Sequence, residues 1–264
     1  MFKVTERRII IGDIHGHYDG LMELLDAVSP EETDQVYFLG DLIDRGPNSA
    51  QVLQFVQQSG YTSLLGNHEQ LLLEAFPNGQ ASAPELQAWL YSGGQSTLTS
   101  FENPSALLDQ LDWIGALPTY LDLGNIWLVH AGVNPDIELE EQTNQEFCWI
   151  RDKFHSSIQP YFPDKLILIG HTITFTFPGV AAGELVKGNG WLDLDTGAYH
   201  PKSGWLTALS IDTKETLTDS LLAKQTVYQV NVFSHEVRSL PLGELMVTMA
   251  PDRVRLRRRQ LMQL

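Results

Sequence analysis

The stretch that decides the fold runs from residue 8 to residue 69 and reads RIIIGDIHGHYDGLMELLDAVSPEETDQVYFLGDLIDRGPNSAQVLQFVQQSGYTSLLGNHE. Three short apolar runs in it, each ending in glycine and a polar residue, predict buried strands. Between them, two segments with apolar residues at helical spacing predict helices. The strands are expected at residues 9–11, 36–39 and 61–65, and the helices at residues 21–28 and 49–59. This βαβαβ order predicts parallel strands joined by right-handed crossovers.

The rest of the chain predicts a helical region and further strands. Residues 69–117 are expected to be mostly helical, with breaks near residues 77–79 and 93–94, where proline and glycine interrupt the pattern. Residues 123–125, which read LGN, are expected to form a hairpin turn. Apolar runs predict strands at residues 119–123, 126–130, 166–170, 191–195, 205–211, 227–233 and 237–242.

The composition sets the class of protein. The chain has 264 residues, with 33 acidic residues against 17 lysines and arginines, and its formal charge is −16. A general nucleic-acid binder is excluded, because phosphate backbones demand a net basic surface. Apolar residues make up 43% and charged residues 19%, which excludes a disordered or fibrous protein. One cysteine excludes an intrachain disulfide, and no stretch is apolar enough for a membrane span, so we expect a soluble, cytoplasmic protein.

Polar clusters follow five of the predicted strands. They read GDIHG at residues 12–16, GDLIDRG at 40–46, GNHE at 66–69, VHAG at 129–132 and GHT at 170–172. Ligands of open α/β sheets bind beyond the carboxyl ends of the strands, so clusters far apart in sequence can converge there. Each cluster alone has an ordinary alternative, since an aspartate can cap a helix and a histidine can pack in the core. Because all five clusters directly follow predicted strands, together they favour a functional site over five unrelated structural roles.

Six residues in these clusters are candidate metal ligands. They offer carboxylate, amide and imidazole groups and are Asp13, His15, Asp41, Asn67, His130 and His171. Six ligands are too many for one ion that keeps an open position, but they suit two ions about 3.5–4 Å apart. Asp41 follows the central strand of the βαβαβ unit and is the expected bridge. The absence of thiolate ligands argues against a structural zinc site. Imidazole and carboxylate ligands suit manganese, iron or a catalytic zinc ion.

In this order, the five motifs resemble those of the calcineurin-like metallophosphoesterases. More narrowly, they resemble the bacterial and phage branch of the phosphoprotein phosphatase family of serine/threonine phosphatases, which WIRD at residues 149–152 and LDTGA at residues 194–198 also match. The resemblance covers residues 8–211 and implies an α/β fold: a β-sandwich of two mixed sheets flanked by helices, with two metals at the strand ends. Residues 1–211 are thus expected to form a metallophosphatase domain. Residues 212–264 would be a C-terminal extension of unknown role, packed on that domain and ending in a basic tail.

The resemblance also implies a mechanism. Asp13, His15 and Asp41 would hold one ion, and Asp41, Asn67, His130 and His171 the other. A hydroxide that bridges the ions would attack phosphorus directly. Arg45 and Arg151 would bind the phosphoryl oxygens, while His68, held by Asp44, would protonate the leaving alkoxide. The alternatives are structural ion pairs for the two arginines and hydrogen bonding alone for His68. Two divalent ions and two arginines would make the site attract phosphate within an acidic chain.

These observations predict a metal-dependent phosphomonoester hydrolase that acts on phosphoproteins or phosphopeptides, with manganese the expected metal. A symmetric dinucleoside-tetraphosphate hydrolase, which shares these motifs, is the first alternative, but Asp44 before Arg45 and Glu69 after His68 favour the protein phosphatase. A metal- or phosphate-binding protein without turnover is the second alternative, and the complete ligand set argues against it.

The predicted partner is thus a phosphoprotein, with no nucleic acid and no membrane. Residues 69–117 and the acidic loop at residues 133–146 are expected to lie beside the metals and to select the substrate. The sequence sets neither the oligomeric state nor the preference between phosphoserine, phosphothreonine and phosphotyrosine.

Overall fold

The computed structural model of the chain describes residues 6–212 and 218–254. Within these residues the chain forms twelve strands and eleven α-helices. The strands are β1 (Arg7–Ile11), β2 (Gln35–Phe38), β3 (Thr62–Ser63), β4 (Tyr120–Asp122), β5 (Ile126–Val129), β6 (Leu166–Ile169), β7 (Leu185–Lys187), β8 (Trp191–Asp193), β9 (Trp205–Asp212), β10 (Thr226–Asn231), β11 (Val237–Pro241) and β12 (Met246–Thr248). The helices are α1 (Tyr18–Val28), α2 (Ser49–Ser59), α3 (Asn67–Ala75), α4 (Ala83–Trp89), α5 (Gln95–Ser100), α6 (Pro104–Leu108), α7 (Leu111–Gly115), α8 (Asn144–Trp149), α9 (Asp152–His155), α10 (Asp219–Leu222) and α11 (Leu242–Leu245).

The strands form two sheets of six. The first sheet has the order β11-β10-β9-β1-β2-β3, in which β1, β2 and β3 are parallel and β9 and β10 run antiparallel to their neighbours. The second has the order β12-β7-β8-β6-β5-β4, in which β5, β6 and β8 are parallel. The predicted α/β architecture of two mixed sheets flanked by helices is confirmed.

The core lies on both faces of the first sheet. Ile10 of β1 packs in a cluster with Leu168 and Leu192 of the second sheet, which fills the space between the sheets. Ile9 packs in another cluster with Leu21 of α1, on the outer face. Both isoleucines are fully buried, which is why β1 is a continuous apolar run and does not alternate with polar residues. Each such side chain contributes about 1.5–3 kcal/mol of hydrophobic free energy relative to exposure.

The carboxyl ends of the parallel strands of both sheets meet at one edge of the sandwich. The His130 Nδ1–H, just after β5, donates to the carbonyl oxygen of Leu39, just after β2, at 2.8 Å. The backbone N–H of His171, after β6, donates to Oδ2 of Asp13, after β1, at 3.0 Å. The polar clusters that follow the strands are therefore brought together although they belong to different sheets.

Most of the predicted elements are confirmed, and the differences have local causes. The two predicted helices of the βαβαβ unit are α1 and α2, and the helical region is interrupted by a 3₁₀ turn at Pro77–Gly79 and a π turn at Leu90–Gly94. The third strand is shorter than expected, because the Leu65 N–H leaves the sheet to bond the carbonyl of Pro118. The three-residue strands β7 and β12 were not predicted, since three residues carry no periodicity.

The C-terminal part of the described chain joins both sheets. The two strands predicted there are β10 and β11, which pair with each other, and β12 pairs with β7. Residues 255–264, which hold four of the five arginines of the predicted basic tail, lie outside the described residues. The division at residue 212 stays a prediction. Among the described residues, no helix has the length and hydropathy needed to cross a membrane.

Candidate functional site

The six predicted metal ligands lie in one buried region between the ends of the two sheets. All are at most 6% exposed, and they are Asp13, His15, Asp41, Asn67, His130 and His171. Polar side chains are rarely buried together unless they are paired or bind an ion. Their burial in one place therefore indicates a functional site.

Strained backbone marks the same loops. Eight described residues other than glycine have a positive φ, and five of them are predicted site residues: His15, Asp41, Asp44, Arg45 and His171. Such conformations cost about 1–3 kcal/mol each and persist where the surrounding structure over-determines them. Strain concentrated in three loops that face one another indicates side chains held in fixed positions for a function.

Asp41 lies at the centre of the region. Its Oδ2 is 3.6 Å from His15 Nε2, and its Oδ1 is 3.4 Å from His130 Nε2. Two groups of buried side chains have their donor atoms within 4.8 Å of one another, and both contain Asp41: one with His15 and His68, the other with His130 and His171. Asp41 is thus the carboxylate that faces both groups.

Asn67 joins the second of these groups. Its Oδ1 is 2.7 Å from His171 Nδ1 and 3.0 Å from His130 Nε2. The other ring nitrogen of His171, Nε2, is buried, and the described residues give it no hydrogen-bond partner. A buried ring nitrogen without a partner is costly in a purely structural site.

Two of the imidazoles are oriented by backbone carbonyls. The Nδ1–H of His15 donates to the carbonyl of Ile43 at 3.0 Å, and that of His130 donates to Leu39. In both rings Nε2 therefore carries the lone pair, and it lies 3.6 Å from an Asp41 oxygen in His15 and 3.4 Å from one in His130. Metal-binding histidines have this second contact as a rule, because it fixes the tautomer and the ring orientation.

Asp13 is placed somewhat differently from the other five residues. Its carboxylate accepts the backbone N–H of His171 and is outside both groups of closely spaced donor atoms. A Cβ on Gly170 would collide with Asp13 Oδ1, so only glycine lets β6 end this close to the carboxylate. Asp13 therefore lies at the edge of the cluster, on the side of the second sheet.

The surroundings of the side chains favour the protonation states that bind metal ions: neutral imidazoles and an ionised Asp41. Burial lowers the pKa values of His15, His130 and His171, so these imidazoles are neutral at pH 7, which is the form that binds metals. Burial raises the pKa of Asp41, but the positive charge that His130, His68 and His15 carry when protonated outweighs it and holds that pKa well below its usual range.

The cluster also has an excess of buried negative charge. Burial, and then the charges of Asp195 and Asp41, raise the pKa of Asp13 well above its usual value. Burial raises the pKa of Asp195 to about 6, and burial followed by the charge of Asp41 raises that of Glu69 to about 8. Carboxylates that oppose one another's ionisation in this way are stabilised by bound cations. The donor set, the neutral imidazoles and this excess charge together fit divalent metal ions.

The predicted acid pair is in contact. The Nδ1–H of His68 donates to Oδ2 of Asp44 at 2.7 Å, and the other ring nitrogen, Nε2, lies 3.9 Å from Asp41 Oδ2. Both side chains are buried. His68 is thus oriented by Asp44 with its second nitrogen directed at the ligand cluster.

The two predicted phosphate-binding arginines contact different histidines of the cluster. The Nη1–H of Arg45 donates to His15 Nε2 at 2.9 Å, and its guanidinium lies 4.1 Å over the ring of Tyr199. Arg151 Nη1 donates to the carbonyl of His171 at 3.1 Å and to Thr172 Oγ1 at 2.9 Å. Neither arginine has a carboxylate among its hydrogen-bond partners in the described chain, so the structural ion pairs considered above are not formed.

A cavity of about 130 Å³ opens over the cluster. Six of the ten predicted site residues line it, together with Ile173, Thr176 and Tyr199. The lining contains no residue of the described segments 69–117 and 133–146, and their expected role in selecting the substrate stays a prediction. Part of the acidic loop instead lines a separate groove with residues 157–162, and its Asp136 pairs with Lys153 at 3.0 Å.

Several residues around the site were not identified as contributors. The sequence marks Glu69 only as a residue that favours the protein phosphatase, but its buried carboxylate accepts the backbone N–H groups of Asp41 and Leu42 at 2.9 and 2.8 Å. Trp89 and Thr97 bond Asp44, and nothing in their local sequence points to that contact. Tyr199 directly follows the LDTGA motif, and that position was a usable signal.

Comparison with known proteins places the geometry in context. The family model described as calcineurin-like phosphoesterase matches residues 7–196. Serine/threonine-protein phosphatase 2 of Escherichia coli (strain K12) is 30% identical over 211 residues, which are 76% of this chain and 91% of that protein. A symmetrical bis(5'-nucleosyl)-tetraphosphatase of Coxiella burnetii (strain Dugway 5J108-111) is 34% identical over 143 residues, 53% of this chain and 46% of that protein.

A solved structure shares the fold. The cold-active protein-tyrosine phosphatase of a psychrophilic Shewanella species matches with a TM-score of 0.58 at 17% sequence identity. The match covers 89% of this chain and 80% of that one.

Proposed function

This chain belongs to the calcineurin-like phosphoesterase family, and we propose that it is a protein serine/threonine phosphatase that hydrolyses phosphomonoesters with two divalent metal ions. Asp13, His15 and Asp41 would hold one ion, and Asp41, Asn67, His130 and His171 the other. When bound, the ions supply Lewis-acid charge and an activated water as the nucleophile. Manganese is the expected metal, with iron and zinc as alternatives.

The chain's own residues would do the rest. Arg45 and Arg151 both line the cavity and would bind oxygens of one phosphoryl group, since a guanidinium matches phosphate with paired N–H donors. His68 would give the proton of Nε2 to the leaving oxygen. Asp44 accepts the Nδ1 proton and would stabilise the charged ring, which is the form that has a second proton on Nε2 to give.

One observation carries the proposal of catalysis: the 2.7 Å contact between His68 Nδ1 and Asp44 Oδ2 at the edge of the ligand cluster. A binding protein has no use for an oriented acid beside bound phosphate. A serine or threonine alkoxide, in contrast, is a poor leaving group and must be protonated as it departs.

Two observations favour a phosphoprotein over a dinucleoside tetraphosphate. The similarity to the protein phosphatase extends over 91% of the length of that relative, whereas the similarity to the tetraphosphatase covers 46% of its length. In addition, Arg45 and Arg151 are the only lysine or arginine residues among those that line the cavity of the described chain, and two guanidinium groups suffice for one phosphoryl group. A tetraphosphate chain brings several further negative charges, which would need cations beyond these two.

The test is a comparison of substrates with the manganese-reconstituted full chain. Phosphoserine and phosphothreonine peptides should be hydrolysed with a kcat/KM at least about tenfold above that for diadenosine tetraphosphate, a difference of about 1.4 kcal/mol in transition-state stabilisation. A preference for the dinucleotide would replace the proposal with the tetraphosphatase alternative. Metal binding without turnover of either substrate would support a binding protein. The variant His68→Asn, assayed in parallel, excludes hydrolysis by a contaminating phosphatase.

A further inference from the structure

The segment of residues 89–97 contacts the two consecutive strained residues of the GDLIDRG motif from behind. The segment comprises the end of α4, the π turn Leu90–Gly94 and the start of α5. Its residues are absent from the lining of the cavity, so within the described chain they do not border the predicted substrate position. The contacts they make instead are with Asp44 and Arg45.

Trp89 and Thr97 bond the carboxylate of Asp44. The indole N–H of Trp89 donates to both oxygens of Asp44, at 2.9 and 3.1 Å. The Thr97 hydroxyl donates to Asp44 Oδ1 at 2.6 Å, and its oxygen accepts the Asp44 backbone N–H at 2.9 Å. All three side chains are fully buried.

These contacts leave the Asp44 carboxylate one orientation. Oδ1 accepts from Thr97 and Trp89, and Oδ2 accepts from Trp89 and from His68 Nδ1. A buried carboxylate that lost one of these donors would turn to recover a partner, because an unsatisfied buried charge is costly. The His68 ring, whose Nδ1 bonds this carboxylate, would turn with it.

The π turn holds the neighbouring arginine. The backbone N–H of Arg45 donates to the carbonyl of Gly93 at 3.2 Å. Gly93 has a φ of 120°, and a Cβ there would lie 2.7 Å from Cγ of Arg45. Only glycine can adopt this φ and also admit the arginine stem. π turns of this kind often occur at functional sites.

We propose that residues 89–97 form a positioning element, which fixes Asp44, and through it His68, in the orientation for proton transfer and supports Arg45 beside it. Trp89 and Thr97 are positioning residues, since neither contacts the reacting group. This inference rests on the proposed role of His68 as the acid.

The variants Trp89→Phe and Thr97→Val remove one hydrogen-bond donor each and keep most of the buried volume. We expect kcat on an alkyl phosphate, such as a phosphoserine peptide, to fall about 10–100-fold. This is the usual effect of losing a hydrogen bond to a residue that orients a catalytic group. On 4-nitrophenyl phosphate, whose leaving group needs little protonation, the loss should be several times smaller. KM and bound manganese should stay unchanged.

Two variants serve as controls. Thr97→Ser keeps the hydroxyl and should restore the alkyl-phosphate activity that Thr97→Val loses. Tyr91→Ala changes a side chain of the same π turn that is 95% exposed, and it should leave both substrates unaffected. Near-UV circular dichroism checks the fold, and if Trp89→Phe does not fold, the two Thr97 variants decide the question.

A double variant separates positioning from general destabilisation. In the His68→Asn background, Trp89→Phe and Thr97→Val should cause no further loss specific to alkyl phosphates, because residues that act as a unit are not additive. Equal losses on both substrates, or a full further loss in that background, would overturn the inference. If His68→Asn itself shows no dependence on the leaving group, the proposed acid fails, and the positioning inference fails with it.

Discussion

The loops that follow the first sheet and those that follow the second meet at Asp41, but they are held in different ways. In the first-sheet loops, His68 bonds Asp44, and Glu69 accepts the backbone N–H groups of the Asp41 loop. In the second-sheet loops, Nε2 of His171 is buried with no hydrogen-bond partner in the described parts of the chain, and burial raises the pKa of Asp195. The chain's own hydrogen bonds thus hold the loops on the side of the acid, whereas the opposite side has a buried ring nitrogen that a bound cation would satisfy.

The cavity divides in the same way. The first-sheet loops supply the acid His68 and the guanidinium of Arg45, which would perform the chemistry. The segments after β6 and β8 supply His171, Ile173, Thr176 and Tyr199, and the remaining lining residues are Asp41, Asn67 and Arg151. The comparison predicts that changes in the first-sheet loops alter catalysis, while loss of metal alters mainly the second-sheet loops.

The largest effect is expected where the two regions meet. Asp41→Asn should lower kcat/KM by roughly 10³-fold or more. A bound metal stabilises the charge of the transition state by several kcal/mol, and each loss of 1.36 kcal/mol lowers the rate tenfold. Steady-state kinetics with the manganese-reconstituted variant measures this loss. Asp34→Asn is the matched control, because Asp34 is a buried carboxylate that bonds Arg7 away from the site. A loss below tenfold for Asp41→Asn would remove Asp41 from the centre of the comparison.

The next effect belongs to the first-sheet loops alone. His68→Asn should lower kcat on alkyl phosphates by roughly 10²–10⁴-fold and affect 4-nitrophenyl phosphate less, with manganese content intact. His235→Asn is the matched control, because His235 pairs with a carboxylate on the surface, where its Nδ1 lies 2.7 Å from Glu23 Oε1. It should leave kcat on both substrates unchanged. Equal losses across leaving groups would show that His68 only supports structure.

A smaller effect is expected for the arginine tied to the second-sheet loop. Arg151→Ala should lower kcat/KM by about 10–100-fold and weaken inhibition by inorganic phosphate, because a phosphate-binding arginine acts on the ground state and the transition state alike. Arg238 is a control, since its guanidinium stacks 4.0 Å over Trp205 and does not line the cavity. An unchanged inhibition constant for phosphate would assign Arg151 a structural role only.

The smallest effect is expected in the local opening of the loops after metal is removed, not in catalysis. Removal of metal by a chelator should increase amide exchange in residues 170–177 and 193–199, while residues 40–46 and 66–69 stay protected. The first-sheet loops keep the Glu69 and Asp44 contacts without metal, and local opening follows the contacts that remain. Hydrogen exchange read by mass spectrometry compares the two regions in one experiment. Equal deprotection of both would contradict the difference between them.

The sequence predicted the parts of this molecule that depend on short-range patterns. Continuous apolar runs mark strands buried on both faces, so the motifs that follow them, such as those of Asp13 and Asp41, were placed at one edge of the sandwich. Contacts between distant segments carry no such mark. Trp89 and Thr97 lie 45 and 53 residues from Asp44, and nothing in their local sequence points to that carboxylate. The side chains that support the site from a distance were therefore not predicted.

Equilibrium dialysis of the full chain against manganese tests the central claim, a two-metal centre shared by both sheets. The unaltered protein should bind two equivalents. His15→Ala, in the first-sheet loops, and His171→Ala, in the second, should each keep about one tight equivalent, while Asp41→Asn should lose tight binding of both. One equivalent in the unaltered protein, or two retained by Asp41→Asn, would contradict the account.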